Sequence, residues 1–381
     1  MRVVMVQLER MFPPIHGGAR ACRAVAERLA TLGHDVTVLG TIGDHDPVQS
    51  LTLLRREAVS VREKTSGAVE ARVGRLHVRA VPALRLLPFL EVWLDRLAPD
   101  LVLTTDDGEQ LAGALLALVA RAAPGRWAYL PKTVHRLPCG PASIFPDPLA
   151  AGVLASALAI VVPSRFVAQY VEAHAGVRPE AVYFPLYAPP TPPVGERDLV
   201  LMINPSAWKG AELFVALARE ERTRRFGWVP GWGTTGELER VLASLPNVVR
   251  VEPTQDHAAL FGRARALLVP SLCLESFGQV AVQAMQRGVP VLASDLGGLR
   301  ESALGAASLL PVRPIRFEPT ADGVAQSVPS QEIGPWRDAL GRLEHPTAYA
   351  DAGHRAHAAA TTFVESLSWA PFERALRLGR S

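Results

Sequence analysis

Cysteine, lysine and long apolar runs are all scarce in this chain of 381 residues, and each scarcity excludes something. Three scattered cysteines, Cys22, Cys139 and Cys273, form neither a disulfide framework nor a metal cage. No apolar run reaches the ~18 residues that a membrane span needs. The nearest, 149–162, is interrupted by Ser156 and ends at Pro163. The opening "MRVVMVQLERMF" reads as a strand and not as a signal peptide, since no small-residue cleavage site follows an apolar core. A cytoplasmic protein with no transmembrane segment is the expectation. The net charge of +3 comes with no basic run or aromatic-interleaved patch, which argues against nucleic acid as a partner. Among 40 basic residues only three are lysines, Lys64, Lys132 and Lys209. Arginine is thus the default cation, and a lysine marks a position that wants a compact point charge. No Gly-x-Gly-x-x-Gly follows the first strand, because "PPIHGGARA" has a different spacing, so a nicotinamide-dependent dehydrogenase is disfavoured.

Apolar residues are plentiful, at 49%. The chain is too long for one ordinary domain, and two of roughly 180 residues is the natural division. In the first half, "RVVMVQL", "HDVTVLG", "DLVLTT" and "RWAYL" read as strands separated by helical patterns such as "GGARACRAVAERLATLG". Such alternation implies a parallel sheet covered on both faces. "FPLYAPPTPPVGERD" then brings five prolines, which suit a stiff interdomain linker over 185–198. The α/β pattern restarts with "LVLMINP" and continues to about residue 310. The segment 311–335 reads as a surface excursion, and the tail "TTFVESLSWAPFERALRL" as an amphipathic helix. The expected architecture is α/β: two Rossmann-like, doubly wound domains, 1–184 and 199–360, facing across a cleft, with 361–381 a C-terminal helix crossing back. Ligands of open α/β sheets bind beyond the carboxyl ends of the strands.

One stretch concentrates chemistry: "PSLCLESFGQVAVQAMQRGVPVLASDLGGLRE", 270–301. A buried strand ends at Pro270-Ser271, a loop brings in Glu275, and Ser276 is placed to N-cap a helix running to about Arg287. A helix start offers free N–H groups and the positive end of the dipole, an anion site. Gly278 lets a ligand approach the first turn closely. On a regular helix Glu275 and Gln283 would stand roughly 12 Å apart along the axis and within ~80° of each other. They would flank the helix start and could hold both ends of an extended phosphate ligand. Read from spacing alone, ordinary helix capping and glycine punctuation explain the stretch equally well.

The stretch resembles the donor-binding segment of family 4 retaining glycosyltransferases of the GT-B type. That family pattern has Pro-Ser, Glu-(Ser/Gly)-Phe-Gly, a second Glu eight positions on, Gly-x-Pro-Val and Gly-Gly-x-x-Glu. "PPIHGGARACRAVAERLATLGHDVTVL" is similar to the family's first strand-loop-helix, and "INPSAWKGAELFVALA" to the opening of its second domain. The resemblance implies that Glu275 contacts hydroxyls of the donor sugar and that Lys209 neutralises the diphosphate. It implies that the amides of Ser276, Phe277 and Gly278 bind sugar and diphosphate, and that Gln283 stands where a Glu holds the ribose diol. Gly297 and Gly298 lie beside that site, and Gly17 and Gly18 would let the first domain close on the donor phosphate. His135, in "KTVHRLPCG", falls where the family often has a histidine near the reacting sugar; a loop histidine with a structural hydrogen bond is the alternative. Lys132 reads as a solvated lysine.

The chain departs from the pattern at Gln283, a neutral amide in place of a carboxylate. It also lacks the Arg usually found before Lys209. The implied activity is transfer of a sugar from a nucleoside diphosphate sugar to an acceptor (glycan, lipid or small-molecule natural product) with retention of configuration. The nucleotide sugar is a co-substrate, and no other cofactor is implied. No Asp-x-Asp stands at a strand end, so no metal is expected; Asp106-Asp107 reads as an acceptor-side or capping pair. A nucleotide-sugar epimerase of the same fold, or a catalytically weak glycosyltransferase-like partner protein, are the alternatives. Nothing in the sequence identifies the acceptor.

Overall fold

The computed structural model describes residues 1–378 except 15, 42–46, 65–66, 83–84, 107–110, 188–194, 255 and 321–322. Asp107 and half of the proline-rich segment 185–198, residues 188–194, therefore lie outside the described residues. The chain divides into two units, Met1–Leu186 with Trp369–Ser381, and Tyr187–Ser368.

The strands of the first unit are β1 (Arg2–Gln7), β2 (Asp35–Thr41), β3 (Ser60–Glu63), β4 (Val69–Val73), β5 (Leu76–Val81), β6 (Leu101–Thr105), β7 (Trp127–Leu130), β8 (Ala159–Val162) and β9 (Glu180–Ala181). They lie in the order β3-β4-β5-β2-β1-β6-β7-β8-β9. From β5 to β9 all neighbours are parallel. The central strands are apolar along their length, as burial on both faces requires; beyond Arg2 every residue of β1 is buried. β3, β4 and β5 pair antiparallel, an edge that the helix-strand alternation does not announce. Its own pattern accounts for it: Val69, Ala71, Val73, Leu76, Val78 and Ala80 bury one face while polar residues intervene. The helices are α1 (Gly17–Thr31), α2 (Pro47–Glu57), α3 (Leu86–Leu97), α4 (Ala112–Ala122), α5 (Pro148–Val153) and α6 (Arg165–Ala175). α1 buries Ala19, Cys22, Val25, Ala26, Leu29 and Ala30, an apolar stripe at helical spacing. The chain builds outward from β1 on one side and from β6 on the other. The gap between the loops after β1 and β6 is therefore the topological switch point, where such sheets bind ligands.

The second unit repeats the plan with β10 (Leu199–Ile203), β11 (Phe226–Val229), β12 (Val248–Arg250), β13 (Ala264–Val269), β14 (Val291–Ser294) and β15 (Ser308–Leu310). The order is β12-β11-β10-β13-β14-β15, parallel throughout. Its switch point lies between β10 and β13. The helices are α7 (Ala211–Glu220), α8 (Gly236–Ala243), α9 (His257–Gly262), α10 (Gln279–Met285), α11 (Leu299–Ser302), α12 (Gly334–Arg342) and α13 (Pro346–Glu365). Phe214, Phe226, Trp228 and Trp336 anchor the core. The excursion at 311–335 contains a hairpin, β16 (Arg316–Thr320) and β17 (Gly323–Ser327). It packs Phe317 edge-on against Trp208 at 5.5 Å and accepts the Trp208 indole N–H at Gln326, 3.0 Å.

Two readings of local structure are corrected. The tail is not one helix: α13 ends at Glu365 and α14 (Ala370–Ala375) follows. Pro371 sits in the first turn of α14, where a missing N–H breaks no bond, so it starts a helix and does not kink one. Phe372 and Leu376 of α14 join the core around Met5 and Leu29, with the Phe372 ring 5.6 Å from Phe184. Nor does Ser276 cap a helix. α10 begins only at Gln279, because Gly278 at its N-cap turns the chain through φ 95°, the left-handed region. Glu275 therefore precedes the helix, and the helical arithmetic relating it to Gln283 does not apply. Among the described residues no helix is long and apolar enough to cross a membrane.

Candidate functional site

In the second unit, the loops after β10 and β13 bring Lys209 and Glu275 together at the switch point. Oε1 of Glu275 accepts from Lys209 Nζ and, at 2.6 Å, from Ser271 Oγ. The two loops are stitched at the backbone: Leu272 N–H donates to Trp208 C=O at 2.8 Å, next to Lys209. Burial opposes a charge on Lys209, but the adjacent Glu275 carboxylate outweighs it and holds the ammonium above its ordinary range. Burial pushes the neighbouring Cys273 thiol up to about 12, so it stays a thiol at neutral pH. The pair is thus a compact plus-minus couple at the sheet's carboxyl edge.

Gly297 and Gly298 serve that couple by letting two backbones meet. Gly298 N–H donates to Glu275 C=O at 2.7 Å. A Cβ on Gly298 would stand 2.3 Å from the Ser276 carbonyl oxygen, and one on Gly297 3.1 Å from that of Glu275. The Phe277 side chain faces inward, 7% exposed, and stacks on Phe363 of α13 at 5.7 Å. Its ring anchors the segment, so a ligand contact of Phe277 falls to its backbone. Gln283 is half-buried on α10, and its carbonyl accepts from Arg287 at 3.0 Å.

In the first unit, the loops after β1, β6 and β7 build a second charged cluster at the other switch point. Glu9 is its hub. It accepts from His16 at 2.5 Å and from Arg136, and Lys132 stands 3.4 Å away. Burial works against the Glu9 charge, but the His16 hydrogen bond and the Lys132 and Arg136 cations prevail and hold the carboxyl well below its usual range. Lys132 also approaches Asp106 at 3.8 Å, and its side chain is only 11% exposed. It is not a solvated lysine: two carboxylates make its burial affordable. Gly17 and Gly18 open α1 beside it, and Lys132 lies so close over Gly18 that a Cβ would come within 2.7 Å of it.

Asp106, fully buried, accepts the Thr133 N–H at 2.8 Å. Thr133 in turn caps the short turn Val134–Arg136 that carries His135. His135 is 4% exposed, with Nδ1 3.0 Å from the Ala142 carbonyl. A carbonyl only accepts, so Nδ1 carries the proton in the neutral ring and Nε2 is the acceptor nitrogen. The structural hydrogen bond considered from sequence is present. Sequence reasoning passed over Glu9, His16, Arg136 and Ser271. A histidine directly before a Gly-Gly helix start was the one available signal. Among the described residues no group of three or more His, Cys, Asp and Glu side chains is placed to hold a metal ion.

Comparison with known proteins agrees in both units. The profile "Glycosyltransferase Family 4" matches residues 15–184 and "Glycosyl transferases group 1" matches 199–318. Among solved structures, sucrose-phosphate synthase from Thermosynechococcus elongatus superposes with a TM-score of 0.70 at 17% identity, covering 99% of this chain and 97% of that one. Anabaena Alr3699/HepE, solved in complex with UDP-glucose, gives 0.69 at 18% identity, covering 98% and 99%. These likenesses establish the GT-B fold with its two Rossmann-like domains. The D-inositol 3-phosphate glycosyltransferase of Nocardiopsis dassonvillei is 40% identical over 83 residues, 21% of this chain. The matched segment spans 19% of that relative's length.

Proposed function

Because this chain belongs to the family 4-like glycosyltransferases of the GT-B type, we propose that it moves a sugar from a nucleoside diphosphate sugar to an acceptor with retention of anomeric configuration. The observation that carries this reading is the Lys209–Glu275 couple at the switch point of the second unit. Holding two opposite charges in a half-buried place costs desolvation that a purely structural contact would avoid. A nucleoside diphosphate sugar answers both charges. Its diphosphate takes Lys209 from Glu275, and the sugar hydroxyls then donate to the carboxylate oxygens that Lys209 leaves. Lys209 stabilises the charge that grows on the leaving diphosphate, and positioning supplies the rest.

On this reading the amides of Ser276, Phe277 and Gly278 bind sugar and diphosphate, and Gln283 meets the ribose diol. Gly17 and Gly18 present amides to the donor phosphate, and His135 offers Nε2 to the reacting sugar. No metal and no cofactor beyond the nucleotide sugar take part, and the cytoplasm is the site of action, consistent with three free, buried cysteines. The donor is named here only by class. That UDP-glucose occupies Alr3699/HepE makes it the first donor to try.

The test is a panel of UDP-, ADP-, GDP- and dTDP-sugars, assayed for nucleotide release with and without sugar, lipid and small-molecule acceptors. The product's anomeric configuration is read by NMR. A wild-type protein that binds no nucleoside diphosphate refutes the reading. An inverted product refutes retention alone.

A further inference from the structure

We infer that Glu9 is a positioning residue for the glycine loop of the first unit, acting through the imidazole of His16. The functional part of this inference rests on the reading above, in which the Gly17 and Gly18 amides face donor phosphate. His16 is the N-cap of α1, in extended conformation, and its Nδ1 accepts the Ala19 N–H at 3.1 Å. A nitrogen that accepts carries no proton, so the ring proton resides on Nε2, and from there it is donated to Glu9. A lone imidazole would exchange between tautomers, and its charged form has no acceptor at all. The Glu9 carboxylate, which only accepts, selects the one tautomer that can cap the helix. Lys132 and Arg136 hold Glu9 in place, and Lys132 and the His16 ring both stand over the Cβ position of Gly18.

The first turn shows what the cap leaves over. Arg20 N–H goes to the His16 carbonyl and Ala19 N–H to the His16 ring. The N–H groups of Gly17 and Gly18 have no partner among the described residues. The loop geometry that leaves those two amides to a ligand thus depends on the state of His16, and that state on Glu9. This is a different task from balancing the charges of Lys132 and Arg136, and the two can be separated.

The full-length protein is made with Glu9→Ala, Glu9→Gln, His16→Asn and the Glu9→Ala/His16→Asn pair. Asparagine caps a helix through an oxygen that needs no second partner to hold its state. Two quantities are read: kcat/KM with a donor the wild type uses, and the hydrogen-exchange rate of the Ala19 amide. Glu9→Ala is expected to lower kcat/KM and speed Ala19 exchange at least tenfold in the His16 protein, and to change each by less than threefold in the His16→Asn background. Glu9→Gln, which keeps an acceptor for Nε2–H but no charge, is expected to stay within threefold of wild type. Equal losses from Glu9→Ala in both backgrounds, or a Glu9→Gln loss as large as that of Glu9→Ala, would overturn the inference and leave Glu9 a counter-charge. Should Glu9→Ala fail to fold, the Glu9→Gln result decides. A wild type that uses no donor refutes the function proposed above and not this role, because Ala19 exchange is read without substrate.

Discussion

Adding one methyl group at Gly298 tests how the site of the second unit is built. The residue has an ordinary helical backbone (φ −68°), so alanine meets no conformational penalty there. The obstacle is steric: the new Cβ would lie 2.3 Å from the Ser276 carbonyl oxygen and 2.7 Å from that of Glu275. Both are backbone atoms and cannot rotate away. Relief to 3.0 Å, below which real Cβ contacts essentially do not occur, requires a shift of about 0.7 Å between the two segments. The 2.7 Å hydrogen bond from Gly298 N–H to the Glu275 carbonyl resists that shift. Overpacking of this kind costs about 1–3 kcal/mol of stability. If Glu275 acts on the sugar as proposed, its displacement matters more, since misplacement by ~1 Å can cost about a hundredfold in rate. Gly298→Ala should therefore lower kcat/KM about 10- to 100-fold, or ~1.4–2.7 kcal/mol in barrier. Gly341→Ala on α12, where nothing lies within 4 Å of the new Cβ, is the control and should leave activity unchanged. The assay is donor turnover together with thermal melting of both variants. A Gly298→Ala protein with activity and melting temperature equal to the Gly341→Ala control would refute the reasoning.

Four further outcomes are expected. Glu275→Ala should leave the fold intact and reduce transfer below about a tenth of wild type, a barrier increase of more than ~1.4 kcal/mol; turnover above that level counts against the sugar contact. Lys209→Ala should weaken nucleoside diphosphate binding far more than nucleoside binding in calorimetry, because on the proposed reading its partner in the complex is the diphosphate charge; equal losses would make it a structural cation. Gln283→Glu should tighten nucleotide binding up to roughly tenfold, since a charged hydrogen bond is worth about 1.5–3 kcal/mol against about 0.5–1.5 for a neutral one; weaker binding would show that the amide is the adapted contact. Glu9, whose carboxyl is held below its ordinary 4.5, stabilises the native state fully above that pH and loses the contribution as pH falls from there toward its native value. Urea unfolding of wild type and Glu9→Gln should accordingly differ most near neutrality and converge on acidification, and a gap that widens toward low pH would contradict the sign.

The two α/β sheets were legible because buried parallel strands leave a strong signal, short runs dominated by apolar residues such as "RVVMVQ" and "ARALLV" separated by helical spacing. The motif 270–301 was legible because turn glycines and a loop carboxylate must stand at fixed offsets in the chain. What escaped had weaker local signatures. β3 and β4 are short and half-polar, so their alternation only makes sense beside β5. The start of α10 was misplaced because Ser276 is a good capping residue by composition, and only the left-handed turn at Gly278 prevents it. The cluster around Glu9 joins residues 9, 16, 106, 132 and 136 through sheet topology, a juxtaposition that no linear pattern encodes.

The scarcity of lysine carries more than it first suggests. Of the three, Lys64 is exposed and pairs with Glu70 on a sheet edge. The other two stand at the two switch points, Lys132 between Glu9 and Asp106 and Lys209 against Glu275. The reason is geometric. A guanidinium brings five N–H donors in a rigid plane, all of which need acceptors once buried. An ammonium brings three donors around one atom, and one or two carboxylates nearly satisfy it. Because its hold on any single acceptor is a point-charge attraction and not a two-pronged fit, it can pass from a carboxylate to an incoming anion by rotating its stem. Arginine suits the permanent ties of this protein, such as Arg136 to Glu9 and Arg28 to Glu373. Lysine suits a charge that must change partners, and on the proposed reading Lys209 does so each time a diphosphate arrives and leaves.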